Sequence, residues 1–173
     1  GASLGTLISP AATLEEMYLA QKLTRGLGSN DIDCRLRQQD FRADANAPLL
    51  PWLGVPIAAV ERQQAILLVG SDIRAAVPLL AHRIRKAAME IGARVFVINP
   101  YGLDLTFPAD QLIGTPTANL QDLAAIAKAL GVKGSGSLKA LITPATPDAG
   151  HRAAADALLQ AGSGLILIGA LAT

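Results

Sequence analysis

Few residues in this chain are suited to chemistry, and the most suggestive group is Gly70-Ser71-Asp72, which follows the apolar run Ile66–Val69. A glycine turn at a strand end can present backbone amides to a phosphate. One glycine stands where a dinucleotide fingerprint needs three, and Asp72 would repel an anion, so these residues read as a structural turn. The glycine-rich GVKGSGS, Gly131 to Ser137, lacks the Lys-Ser/Thr ending of a phosphate-cradling loop and reads as a linker. His82 sits among Arg83, Arg85 and Lys86, and His151 lies near a helix start; far apart and without clustered thiols or carboxylates, they read as solvated helix faces, not metal ligands. Cys34 has no assignable base beside it, which leaves its thiol inert. Arg35, Arg37 and Arg42 alternate with Asp31, Asp33, Asp40 and Asp44, a pattern that fits ion pairs anchoring a loop. No catalytic residue and no metal ligand follow from the residues alone.

The elements that would position such groups centre on Gln63 to Pro100. Ala65 to Val69 is a short, wholly apolar run, as expected of a parallel strand covered on both faces. Pro78 can open a helix at a position that needs no amide donor, and Leu80, Ile84, Ala87 and Ile91 follow at helical spacing until Gly92. Arg94 to Ile98 supplies a second β-branched run, ended by Asn99-Pro100. Strand, crossover helix and strand make a βαβ unit. In sheets built this way ligands bind beyond the carboxyl ends of the strands, which directs attention to Gly70–Arg74 and Asn99–Asp104.

The remainder of the chain extends the pattern. Leu4 to Ile8 is a strand candidate, and Thr13 with Glu16 forms a capping box for a helix that stops at Gly26-Leu27-Gly28. Gly28 to Pro56 is rich in turn formers and charges and reads as an unusually long loop. Ile57 to Arg62 reads as one or two helical turns, Gln111 to Ile113 as an edge strand, and a helix starts at Thr117 or Asn119 and ends at Gly131. Leu138 to Ile142 fits either a strand or a helical turn. Thr146-Pro147-Asp148 opens a last helix, and Leu165 to Ile168 repeats the strand-then-glycine pattern of Ile66 to Gly70. The expected fold class is α/β: a layered, Rossmann-like parallel sheet with helices on both faces.

Bulk properties exclude several functions. At 173 residues, 51% hydrophobic and 17% charged, the chain can bury a sizeable core. A net charge of +1 and 3% aromatic residues argue against a nucleic-acid surface. One cysteine permits no intrachain disulfide and fits a reducing compartment. The longest apolar run, near Leu165 to Leu171, is far short of the roughly 20 residues of a membrane span, so no direct membrane insertion is expected. A start at Gly1 without methionine, and an end at Thr173 just past an apolar run, read as a piece of a longer polypeptide.

Two stretches carry a resemblance: SPAATLEEMYLAQKLTRGLGSNDIDCRLRQQDF and PWLGVPIAAVERQQAILLVGSDIRAAVPLLAHRIRKAA. They resemble the large iron-sulfur subunit of the proton-pumping NADH:quinone oxidoreductases (respiratory complex I), densely over Ile8 to Pro100 and more loosely to Thr173. More remotely they are similar to the molybdopterin oxidoreductases. The resemblance implies a strand–helix unit of a first lobe at residues 1–35, a connecting loop at 36–56 and a Rossmann-like domain at 57–173. Carried over residue by residue, it puts Asp33, Cys34 and Arg37 in the lead-in to the metal ligand and Gln39 at or beside the ligand position. A neutral amide is a poor substitute there for an anionic sulfur donor. The family's Gly-x-Asn-Pro loop and Asp-Pro-Arg strand end are replaced by Gly70-Ser71-Asp72-Ile73 and Asn99-Pro100-Tyr101, which lose an Arg and gain an acid. It thus implies a degenerate former pterin site near Gln39, Gly70, Ser71, Asp72, Asn99 and Tyr101. It implies no cofactor in this stretch, with iron-sulfur clusters elsewhere in the full subunit. It also implies other peripheral-arm subunits as partners, a place on the cytoplasmic face of the bacterial inner membrane, and a structural, non-catalytic role. The competing expectation is a piece of an active molybdopterin-dependent oxidoreductase.

Overall fold

A computed structural model describes residues 4–34 and 52–172. The chain divides into two compact units, Gly1–Leu49 and Leu50–Thr173.

In the first unit, strand β1 (Thr6–Leu7) pairs in parallel with β2 (Ile32–Asp33), and helix α1 (Leu14–Gly26) lies between them in sequence. The expected capping box is present: Thr13 Oγ1 accepts from the Glu16 amide, and the Glu16 carboxylate accepts from the Thr13 amide at 2.7 Å. Thr24 is buried, donating its hydroxyl to the Ala20 carbonyl at 2.8 Å and lying 2.6 Å from the Thr6 hydroxyl, which ties α1 to β1. Strand β2 falls where the sequence reads as loop. Two residues are too few to show alternation, and Ile32-Asp33 becomes a strand because Thr6 and Ile8 donate to the carbonyls of Asp31 and Asp33.

The second unit is a four-stranded parallel sheet in the order β5-β4-β3-β6. Its strands are β3 (Ala65–Val69), β4 (Arg94–Asn99), β5 (Asp110–Ile113) and β6 (Gly164–Ile168). Every residue of β3 is buried, because β4 and β6 flank it and helices cover both its faces. On one face Ile66, Leu68, Val95, Val97, Leu165 and Leu167 pack with helix α3 (Pro78–Glu90) and with Val60 of the 3-10 helix Ile57–Arg62. On the other face Ala65, Leu67, Val69, Phe96 and Ile98 meet α4 (Pro116–Ala129) and α6 (Ala149–Gln160) through Ile126, Ala154 and Ala155. The Glu61 carboxylate joins the 3-10 helix to α3, accepting from Arg83 at 2.6 Å and Lys86 at 2.8 Å. The Lys86 hydrogen bond leads the causes that hold the Glu61 carboxyl below its ordinary range, and the same bond raises Lys86.

Several boundaries depart from the sequence reading, each for a local reason. A one-turn helix α2 (Ile73–Ala76) forms after Asp72, whose side chain accepts from the Ala75 amide. Helix α4 starts at Pro116, one residue before Thr117 and three before Asn119, because Thr115 caps it and Pro116 takes its first turn. Helix α5 (Gly136–Ile142) takes in the end of GVKGSGS, so only the first part of that stretch is connector. The cap of α6 is Asp148, not Thr146, which puts Pro147 outside the helix.

The core predicts a sharp contrast within α3. Ile84→Ala, at a residue with 0% exposure, is expected to cost about 2–5 kcal/mol. Leu79→Ala, at 79% exposure, is expected to cost less than about 0.5 kcal/mol. Equilibrium denaturant unfolding of the two variants measures both.

Candidate functional site

The carboxyl ends of β3, β4 and β6 are laced together by backbone bonds. The Gly70 amide donates to the Ile98 carbonyl at 2.8 Å, Gly169 donates to Val69 at 2.8 Å, and Leu171 donates to Gly70 at 2.9 Å. Gly70 sits at φ +57°, in the left-handed region, and a Cβ there would lie 2.5 Å from the Ala172 nitrogen. A Cβ on Gly169 would meet the Gly70 carbonyl oxygen at 2.5 Å and the Ser71 Cα at 2.6 Å. Both glycines are therefore required by the close approach of the segment after β6 to the end of β3.

Around this crossing lies a hollow of about 690 Å³ whose wall includes Gly70, Ser71, Asp72, Val77, Tyr101 and Leu171. A smaller hollow of about 390 Å³ adjoins it at Asp72, Arg74, Tyr101 and Asp104. Five of the six positions singled out in the sequence thus sit together: Gly70, Ser71, Asp72 and Tyr101 line the larger hollow, and fully buried Asn99 donates its Nδ2 to the Ser71 carbonyl at 3.2 Å. Asn99 Oδ1 has no hydrogen-bond partner. The sixth, Gln39, lies outside the described residues, as do Arg35, Arg37 and Arg42. Cys34, in the first unit, is exposed, and its amide donates to the Asp33 carboxylate at 2.7 Å.

The chemistry of the strand end is acceptor-rich. Asp72 places a carboxylate at the start of α2, where its Oδ1 accepts from Ala75 at 3.2 Å. Arg74, the nearby cation, donates to the Asp104 backbone carbonyl and lies 3.4 Å from the Asp104 carboxylate. The Gly70 amide is already spent on Ile98. A bound anion would meet the Asp72 charge and would find the Gly70 amide already engaged.

One site was missed in the sequence. His151, expected on a solvated face, is buried. Its Nε2 lies 3.0 Å from Asp122 of α4, and its Nδ1 lies 2.6 Å from the Asp148 carboxylate and accepts from the Asp148 amide at 3.2 Å. The signal was the Asp-x-x-His spacing, a capping box with histidine in place of the usual Glu or Gln. The arrangement locks α4 to the start of α6 beside a groove of about 610 Å³. It brings no nucleophile to the histidine and reads as structural. His82 is exposed, as expected. Among the described residues no group of three or more His, Cys, Asp or Glu could hold a metal ion.

The parallel α/β sheet, with its distinctive residues gathered at the switch point between β3 and β6, has counterparts among known proteins. The family profile "Molybdopterin oxidoreductase" matches residues 2–170, and the chain belongs to that family. It is 34% identical over 103 residues to an NADH-quinone oxidoreductase subunit of Mycobacterium tuberculosis, covering 56% of this chain and 12% of that protein. It is 33% identical over 101 residues to the probable oxidoreductase YjgC of Bacillus subtilis, 55% of this chain and 10% of that protein. It is 36% identical over 93 residues to the alpha subunit of the NADPH-Fe(3+) oxidoreductase of Geobacter sulfurreducens, 50% of this chain and 11% of that protein. The chain thus spans about a tenth of the length of these relatives. The family name implies a pterin cofactor, whose dinucleotide form carries a pyrophosphate. The strand end described above does not suit one: Asp72 caps α2 with a negative charge, and Ala172 fills the space over Gly70.

The His151 cluster sets an acid-side prediction. Hydrogen bonds to His151, the backbone one first, hold the Asp148 carboxyl below its ordinary range. A carboxyl depressed in the folded state contributes stability above its unfolded pKa and loses it as pH falls through the folded pKa. Asp148→Ala is therefore expected to lower stability at neutral pH and to flatten the loss below about pH 4. Thermal unfolding of both proteins between neutral and acid pH measures it.

Proposed function

We propose that this chain is a non-catalytic structural portion of the large iron-sulfur subunit of an NADH:quinone oxidoreductase, working inside a peripheral arm while redox chemistry occurs elsewhere in the assembly. The observation that carries the reading is the strand end at Gly70-Ser71-Asp72. A hollow lies there, but Asp72 caps α2 at its edge with a negative charge, and the turn after β6 presses on Gly70. Fold alone does not carry activity, and a preserved sheet with an unsuitable site is what a cradle kept for its packing looks like.

The named relatives support the assignment in part. The NADH-quinone oxidoreductase subunit of Mycobacterium tuberculosis matches at 34% identity, and the resemblance in the sequence extends through Cys34 to Gln39. In this reading iron-sulfur clusters lie in other parts of the full subunit, no molybdenum is bound, and the partners are other peripheral-arm subunits. The arm faces the cytoplasm of a bacterium. None of the described helices is long and apolar enough to cross a membrane, in keeping with a peripheral position.

The experiment is elemental analysis of the full-length polypeptide purified under reducing conditions, with extraction and fluorescence detection of pterin. Iron without molybdenum, tungsten or pterin is the expected result. Molybdenum or tungsten at one equivalent per chain, with a fluorescent pterin released on denaturation, would assign the chain instead to an active molybdopterin-dependent oxidoreductase.

A further inference from the structure

At the junction of α4 and α6 the His151 ring is buried, with 9% of its side chain exposed, and each of its nitrogens faces an aspartate. Nε2 lies 3.0 Å from the Asp122 carboxylate of α4. Nδ1 has two neighbours on Asp148, the residue that caps α6: the backbone amide at 3.2 Å and the carboxylate at 2.6 Å. Those two contacts need opposite states of one atom. The amide donates only to a bare Nδ1, whereas a carboxylate, which only accepts, needs a proton on Nδ1. Asp122 needs the proton on Nε2 in both cases.

Two states of the ring therefore fit the same position. The neutral ring with its proton on Nε2 donates to Asp122 and accepts from the Asp148 amide. The imidazolium donates to Asp122 and to the Asp148 carboxylate, two charge-assisted bonds. What rides on the exchange is the strap of residues 143–148, which joins α5 to α6 and walls the groove of about 610 Å³ with Pro144, Ala145 and Thr146. Lys128 of α4 pins the start of that strap, donating to the carbonyls of Thr143 at 2.6 Å and Ala145 at 2.8 Å. The other charged residues on the elements around the ring are Arg152 and Asp156 of α6 and Lys139 of α5, all exposed, and β3, which packs under α6, carries none.

We propose that His151 is a proton-operated latch on the strap between α5 and α6: loss of the ring's charge exchanges its bond to the Asp148 carboxylate for one to the Asp148 amide and loosens this wall of the groove. Lys128 is the fixed pin and His151 the switched one. The bridge of one imidazolium between two carboxylates is the stronger form. Its contribution is complete below the ordinary histidine range, about pH 6.5, and is lost as pH rises above it. The latch is built from neighbours within this chain, so it does not depend on the assembly assigned above.

Long-range nitrogen-proton correlation spectra of the unaltered chain between about pH 5 and about pH 9 read each ring nitrogen, with exposed His82 as the internal reference. Nε2 of His151 is expected to stay protonated throughout while Nδ1 gains its proton on acidification, and the backbone amides of Thr146 and Asp148 are expected to shift with the same midpoint. His151→Gln keeps a capping-box residue but cannot be charged, and thermal unfolding compares it with the unaltered chain. The unaltered chain is expected to have the higher Tm at about pH 5.5, with at least about half of that margin gone at about pH 8.5. Asp122→Asn, nearly isosteric and uncharged, is expected to reduce the fall in Tm between those pH values. A neutral ring protonated on Nδ1, strap amides that ignore the titration, no margin over His151→Gln at the lower pH, a margin that shrinks by less than half, or an unchanged fall in Asp122→Asn overturns the proposal.

Discussion

Strand β3 has no exposed residue, and the geometry of the second unit follows from that condition. A parallel strand buried on both faces needs a neighbour on each edge and a helix layer on each side. β4 and β6 supply the edges in strict register, Ala65 opposite Arg94 and Gly164, Val69 opposite Ile98 and Ile168. α3 supplies one layer; α4 and α6 supply the other, with alanines that let the helix backbones come close. Strands β3 and β6 end level at Val69 and Ile168, with β4 running one residue further to Asn99, and all three must turn away within the same few ångströms. The crowding at Gly70 and Gly169 is the consequence.

The strand end can thus be understood without invoking any ligand. Backbone bonds from Gly70, Gly169 and Leu171 close the crossing. Asp72 caps α2, Asn99 reaches Ser71 beneath the turn, and Arg74 is engaged by Asp104. The Gly70 amide and the Arg74 guanidinium are thus engaged within the protein, and Asp72 carries the wrong sign for an anion. The wall of the hollow includes Ile73, Leu80 and Leu167, which also belong to the sheet core. These walls persist whether or not a ligand binds, because they also serve the core.

What the sequence disclosed and what it hid divide along physical lines. The runs Ala65–Val69 and Arg94–Ile98 were legible because burial on both faces leaves only apolar residues, and α3 was legible because Pro78 and Gly92 bracket a helical stripe. Among the described residues every strand pair within each of the two sheets is parallel, as the repeated helix–strand–glycine pattern implied. Strand β2 and the one-turn α2 were not legible, since two residues, or four, carry no period. The start of α4 was misjudged because Thr115 and Thr117 are chemically alike, and only the backbone decides which one caps. His151 was misplaced because its burial depends on Asp122, 29 residues away. At the candidate site, the identity of the residues was readable, but the contact of Ala172 with Gly70 was not, since it joins positions about a hundred residues apart.

The central claim, that the β3 strand end does not suit a pyrophosphate-bearing nucleotide, is tested most directly by isothermal titration of the chain with guanosine diphosphate at low ionic strength, where charge effects are largest. No heat of binding up to about millimolar nucleotide is the expected result, with the Asp72→Asn protein, which loses the repelling charge, gaining affinity if either does. Micromolar binding to the unaltered chain, weakened by substitution at Ser71 or Tyr101, would contradict it.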